Sequence, residues 1–210
     1  MLLLFFDTET TGLPPKYENK VNERNVLIWP YILQFSYIVF DTETNTILKT
    51  FDSIIKIPPN IKISAESTNI HGITRLLSDQ NGVSIIPVIT EFMKDVNDAD
   101  LLIGHNIYFD LNMVYAELLR HKDDIGGLQP LLANKRTYCT MKETTQFCCL
   151  ESPYYGKNYN KLKPPKLVEL YEKLFNEAPT LTLHNSLNDV IVTMRCYMKF
   201  KYDRDIHHIV

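Results

Sequence analysis

The 210-residue sequence has one tryptophan, seven glycines and only four cysteines, and its formal net charge is −3. What the sequence lacks removes several classes of protein. No stretch approaches the roughly 18 apolar residues that a membrane span needs. The opening MLLLFF lacks a basic leading region and meets acids at once, so it reads as a strand and not as a secretory leader. Cys139, Cys148, Cys149 and Cys196 show no paired zinc-type spacing. They are expected to be reduced thiols in a cytosolic or nuclear-type compartment, neither secreted nor membrane-bound. The small negative charge gives no basis for general coating of nucleic acid, but it is compatible with a nuclease whose acids gather where metal ions neutralise them. With no solenoid-length repeat and no Gly/Ser linker, residues 1–210 are expected to form one domain.

What is present is an ordinary globular composition, 45% hydrophobic and 22% charged. Residues 1–6 read as a buried strand ending at the first acid. The β-rich runs 31–40 and 46–57 flank a polar DTETN. A helix is expected over 90–96, a buried strand over 99–106, and a helix over 110–121 with Leu111, Val114, Tyr115, Leu118 and Leu119 on one face. Residues 166–175 are amphipathic. A last helix over 187–201 places Leu187, Val190, Ile191, Met194 and Met198 on one stripe. Strands first, then strands alternating with helices, imply an α/β fold with a mixed sheet whose antiparallel part is a hairpin.

The tetrapeptide DTET occurs twice, at Asp7 and at Asp41. Residues two apart on a strand share a face, so Asp7 and Glu9 project together from the end of an apolar, and hence central, strand. Carboxylates there are costly to desolvate unless something cationic meets them. The second copy lies between two strand patterns with Asn45 available for a turn, so its acids can sit in water at a hairpin tip. The first copy is therefore the candidate site.

Further acids join it. LIGHNIYFDL ends a buried strand at His105 and sets Asp110 at the start of a helix; HNSLNDV sets His184 at the entry of a helix bearing Asp189. Asp7, Glu9, Asp110 and Asp189 brought together without metal would repel one another and raise at least one pKa. Two hard divalent cations, Mg²⁺ or Mn²⁺, would resolve this, since carboxylate oxygens and water are their preferred ligands. A pair of metals about 3.5–4 Å apart clamps the attacking and leaving oxygens of a phosphodiester. His184 is then free to take the proton from the attacking water.

FDTETTG, HNIYFD and HNSLND resemble the three motifs of the DnaQ-like, DEDDh 3′→5′ exonucleases, and NIHGIT (69–74) resembles a segment between the first two motifs in one branch of that family. The motifs keep the family's order over residues 7 to 189. The resemblance implies an RNase H-like sheet flanked by helices and release of nucleoside 5′-monophosphates from 3′ ends. It implies that Asp7 bridges two metals, that Glu9 and Asp189 hold the one activating water, that Asp110 completes the set, and that His184 is the general base. It further implies that Thr8, Thr10, Gly12 and Leu13, with Ile70 and His71, line the terminal-nucleotide pocket. Leu13 would wedge against the penultimate base, and Asn106 would touch the terminal sugar or phosphate. Ser186 stands where the family commonly has alanine, a difference small enough to be accommodated.

Single-stranded DNA or RNA 3′ ends are the expected partners, with a polymerase or other replication or repair protein acting in trans. DNA is favoured; RNA trimming by the same fold, or a non-catalytic nucleic-acid-binding subunit, are the alternatives. The stretch 153–166 interleaves lysines with tyrosines, a pattern suited to single strands and equally to a solvated loop. His207 and His208 read as tail residues. The motifs set no oligomeric state.

Overall fold

A computed structural model describes residues 1–17, 20–126, 128–152 and 162–209. Among these residues five strands form one sheet: β1 Leu2–Thr10, β2 Ile32–Asp41, β3 Thr46–Ile54, β4 Leu101–Gly104 and β5 Thr137–Cys139, in the order β3-β2-β1-β4-β5. β1–β2 and β2–β3 are antiparallel, whereas β1–β4 and β4–β5 are parallel. Among the described residues ten α-helices accompany them: α1 Ala65–His71, α2 Arg75–Asn81, α3 Ile85–Asp98, α4 Ile107–Arg120, α5 Lys122–Ile125, α6 Gln129–Ala133, α7 Thr140–Glu143, α8 Thr145–Cys148, α9 Leu167–Phe175 and α10 Ser186–Tyr202. This is the mixed, helix-flanked sheet expected, with the hairpin supplying its antiparallel part.

The two faces of β1 divide the core. Leu4 and Phe6 enter one apolar cluster with α3 and α4, through Phe92, Val96, Met113 and Val114. Leu3 and Phe5 enter the other with α10, through Val190, Met194, Tyr197 and Met198. α10 also buries Val192 and Cys196 against α9, so its apolar surface is wider than the single stripe expected.

Several boundaries differ from the sequence reading. β1 does not stop at the first acid; it runs through Asp7 and Glu9 because β2 stays paired with it, Asp7 opposite Ser36 and Glu9 opposite Gln34. On its other side β4 pairs only with Leu3 to Phe5, so β1 outlasts β4 and both carboxylates lie beyond β4's end. α3 begins ahead of Pro87, which sits in its first turn, where the missing N–H has no intrahelical partner to lose. α4 starts at Ile107, and its buried stripe passes through Asp110, Met113, Val114 and Glu117, so Leu111, Tyr115 and Leu119 are only partly buried. β3 ends at Ile54, after which Ile55 bridges to Val83.

The second DTET forms the β2–β3 turn, with Asn45 at φ 56°. Asp41 pairs with Leu2, five residues along β2 from the partner of Asp7. That is roughly 17 Å by the strand rise, so the two copies lie towards opposite ends of the sheet.

Candidate active site

β1 supplies Asp7 and Glu9 on the face covered by α10, and α10 supplies Asp189 in its first turn. One ligand atom from each of these three acids lies within 4.8 Å of the other two. Asp110 approaches from the opposite face of the sheet. It is buried in the first turn of α4, where its Oδ1 accepts from the Thr8 backbone N–H at 3.0 Å and from the Thr8 hydroxyl at 2.8 Å. The gap left by short β4 lets groups from both faces meet.

Local turns aim the helices at this gap. Gly104 ends β4 where any Cβ would sit 3.1 Å from the Ile107 side chain and 3.2 Å from the Phe6 carbonyl. Asn106 then adopts φ 69° to enter α4, a left-handed conformation that asparagine tolerates better than most residues. His184 has φ 66° just before the Asn185 cap of α10, and its N–H donates to Asp189 Oδ2 at 3.1 Å. One residue thus presents an exposed imidazole and steadies an acid.

A cleft of about 410 Å³ collects every residue that the sequence assigned to the site: Asp7, Thr8, Glu9, Thr10, Gly12, Leu13, Ile70, His71, Asn106, Asp110, His184 and Asp189. Leu13 is 77% exposed and Ile70 51% exposed, so both stand at the rim as apolar contacts open to a ligand. His71 closes α1, ahead of Gly72 at φ 74°. Its Nδ1 accepts from the Ile73 N–H at 3.0 Å, which leaves Nε2–H to donate to the Thr10 carbonyl at 3.1 Å. His71 therefore fastens α1 to the end of β1. Its basicity is lowered mainly by burial, and also by the nearby His184.

Sequence reasoning passed over other residues here. Ser67, His105 and Phe109 line the same cleft. His105 spans Thr140 Oγ1 at 3.0 Å and the Pro165 carbonyl at 3.1 Å, and burial pushes its pKa down to about 4. Gln34 and Ser36, both buried, lie on the strand beside Glu9 and Asp7. Two polar residues spaced by two within the apolar YILQFSYIVF were the available signal. Of the basic-aromatic stretch 153–166, residues 153–161 lie outside the described residues.

The electrostatics follow from burial. Asp7 is held far above the ordinary carboxylate range by burial first, then by the charges of Asp110, Asp189 and Glu9. Glu9 is pushed up to about 8, by burial and then by Asp189 and Asp110. Asp110 rises to about 7 through burial, against the two Thr8 hydrogen bonds; Asp189 also rises to about 7 through burial, opposed by the His184 N–H. Asp189 Oδ1 is buried with no hydrogen-bond partner among the described residues. An unsatisfied carboxylate oxygen beside two other desolvated acids fits a divalent cation, and the oxygen-only donor set suits a hard one. A larger cavity of about 800 Å³ elsewhere is lined by groups such as Leu27, Ile55 and Arg120, without such a convergence of acids.

A mixed sheet in this order, with acids at the end of its central strand and on two flanking helices, defines an RNase H-like fold. Residues 4–197 match the family described as exonuclease. The chain belongs to that family, as the DnaQ-like motifs implied. It is 24% identical to the PolC-type DNA polymerase III of Pediococcus pentosaceus over 99% of its length, covering 14% of that protein. Its fold matches E. coli exonuclease I bound to a dT13 oligonucleotide, with a TM-score of 0.69 and 18% identity over 97% of this chain and 42% of the other. Exonuclease I of Methylocaldum szegediense matches with a TM-score of 0.64 and 18% identity, over 97% of this chain and 41% of that one. The chain thus spans well under half the length of these relatives.

Proposed function

We propose that this protein is a metal-dependent 3′→5′ exonuclease that hydrolyses the terminal phosphodiester and releases nucleoside 5′-monophosphates, with DNA as the favoured substrate. The observation that carries the reading is the convergence of Asp7, Glu9 and Asp189 within 4.8 Å, beneath an exposed histidine, in a cleft with an apolar rim. The preference for DNA rests on relatives whose names and titles refer to DNA polymerase III and to exonuclease I bound to DNA oligonucleotides.

Asp7, Glu9 and Asp189 would hold a Mg²⁺ or Mn²⁺ pair, with Asp110 completing the set from the other face of the sheet. The cations, when bound, neutralise the carboxylates and polarise the scissile phosphate. Asp7 and Glu9 would fix where a cation sits, because their strand is held on both sides at its base. Asp110 is kept in one orientation by Thr8. His184 takes a proton from the attacking water at its imidazole nitrogen; its backbone N–H, already on Asp189, ties this residue to the first turn of α10 beside the acids. Leu13 and Ile70 provide apolar surface for the terminal bases, and Asn106 contacts the last sugar or phosphate.

The test is a gel time course on 5′-labelled single-stranded DNA and RNA with Mg²⁺, Mn²⁺ or EDTA, with Asp7→Ala and His184→Ala alongside. Stepwise shortening from the 3′ end, lost in EDTA and in both variants, supports the reading and identifies the preferred sugar. Binding without shortening by the unmodified protein would replace it with a non-catalytic binding role.

A further inference from the structure

A line of polar groups crosses the sheet beneath the start of α10. Asp52 on β3 accepts through one oxygen from both Gln34 Nε2, at 2.8 Å, and Ser36 Oγ, at 2.7 Å. Gln34 Oε1 accepts from the Ser186 N–H at 3.2 Å, and Ser186 Oγ donates to the Asp7 carbonyl at 2.6 Å. Gln34 is 3% exposed, and Ser36 and Ser186 are fully buried. Cross-strand pairing sets Ser36 between Asp52 and Asp7, and sets Gln34 beside Glu9.

The partners leave the Gln34 amide one orientation. An ionised carboxylate only accepts and a backbone N–H only donates, so the nitrogen must face Asp52 and the oxygen must face Ser186. Ser186 is the first residue of α10, three before Asp189 and two after His184. Whatever holds its N–H therefore sets where that helix starts relative to the β1 acids. An apolar side chain at position 34 would leave this buried donor unpaired, and glutamate could not donate to Asp52.

We propose that Gln34, oriented by Asp52, is a positioning residue that seats the first turn of α10 so that Asp189 and His184 register with Asp7 and Glu9. The role rests on the exonuclease reading above. It acts through Ser186, and neither Gln34 nor Asp52 is assigned a contact with substrate. Ser186, in place of the alanine common in the family, contributes a second tie from the same helix turn to β1.

The experiment compares Gln34→Met, Asp52→Ala and Asp52→Asn with the unmodified chain, reading kcat and KM on labelled DNA and Mn²⁺ affinity by calorimetry. Losing such a supporting partner costs on the order of 10–100-fold in metal affinity or activity. Gln34→Met and Asp52→Ala should each lower kcat and weaken Mn²⁺ binding by about tenfold or more, with KM little changed. Asp52→Asn keeps an acceptor oxygen for both donors and should restore most of the loss. Asp52 is exposed on β3, so its variants remain informative if Gln34→Met fails to fold. Mn²⁺ affinity and kcat unchanged in Asp52→Ala, or equally poor values in Asp52→Asn, would overturn the role. An unmodified chain that shortens no substrate would overturn the exonuclease reading, and the Mn²⁺ titrations would then decide the positioning role alone.

Discussion

Thr8 holds Asp110 through two donors on one carboxylate oxygen, its backbone N–H at 3.0 Å and its hydroxyl at 2.8 Å. The contact fastens α4 to β1 and favours the ionised acid against burial. Thr8→Val keeps the shape and the backbone bond but loses the hydroxyl. In the metal-free protein the Asp110 carboxyl should then titrate at still higher pH, and in the metal-loaded protein kcat should fall by about tenfold. Carbon-13 NMR of the metal-free carboxyl and a kcat assay check the two; an unmoved Asp110 titration would show that the hydroxyl does not favour its ionised form.

Metal-free stability should fall as pH rises. Glu9, Asp110 and Asp189 have folded pKa values of about 8, 7 and 7, above ordinary values of 4.5, 3.8 and 3.8. A raised carboxylate favours the folded state fully below its unfolded pKa, and that contribution is lost as pH climbs to the folded value. In EDTA the thermal midpoint should therefore decline between about pH 4 and pH 8. A profile flat over that window would contradict clustered, desolvated acids.

Asp7→Asn should separate stability from activity. Removing a carboxyl whose ionisation is opposed by burial and by three neighbouring acids should raise the metal-free midpoint at pH 8. The same change should abolish exonuclease activity and remove the upward shift that Mn²⁺ gives the unmodified protein. Calorimetric melts with and without Mn²⁺ provide the comparison, and a metal-free midpoint lower than that of the unmodified chain would count against the account.

The repeated tetrapeptide offers an internal control. Asp41 caps its own turn through the Glu43 N–H at 2.9 Å and lies 3.5 Å from the amino terminus. Asp41→Ala combined with Glu43→Ala should leave kcat within about twofold, in keeping with the small effect of surface ion pairs. Asp7→Ala should abolish it. Equal losses would overturn the distinction between the two copies.

Away from the cleft, Arg120 and Glu117 form a buried pair at 2.7 Å, with exposures of 6% and 2%. Arg120 also donates to the carbonyls of Val26, Trp29 and Pro30 and stacks on Tyr31 at 3.8 Å. Arg120→Ala strands a buried carboxylate and should cost about 3–5 kcal/mol in urea unfolding. A loss below about 1 kcal/mol, the range of an exposed pair, would mean that water reaches Glu117.

Much of the cleft was legible because its residues occur in short motifs whose local geometry is set by near neighbours. Period-two alternation put Asp7 and Glu9 on one face, and the HNSLND stretch placed His184 just before the helix of Asp189. The short helices α1 and α2 were not anticipated, since seven residues carry little periodicity and depend on caps such as Ser64 and Thr74. β5 has three residues and is defined only by its pairing with β4.

The sequence by itself determined the acidic set, the hairpin and the alternation of strands and helices, because these follow from spacing along the chain. Tertiary structure alone decided that β1 runs past β4, opening the gap in which acids from both faces meet. It also decided that α4 buries Asp110 on the stripe shared with Glu117, and that Asp52, Gln34, Ser36 and Ser186 form one line. Those facts depend on pairing between residues far apart in the chain, and the choice among such pairings is made by the packed core and by the need to satisfy every buried polar group.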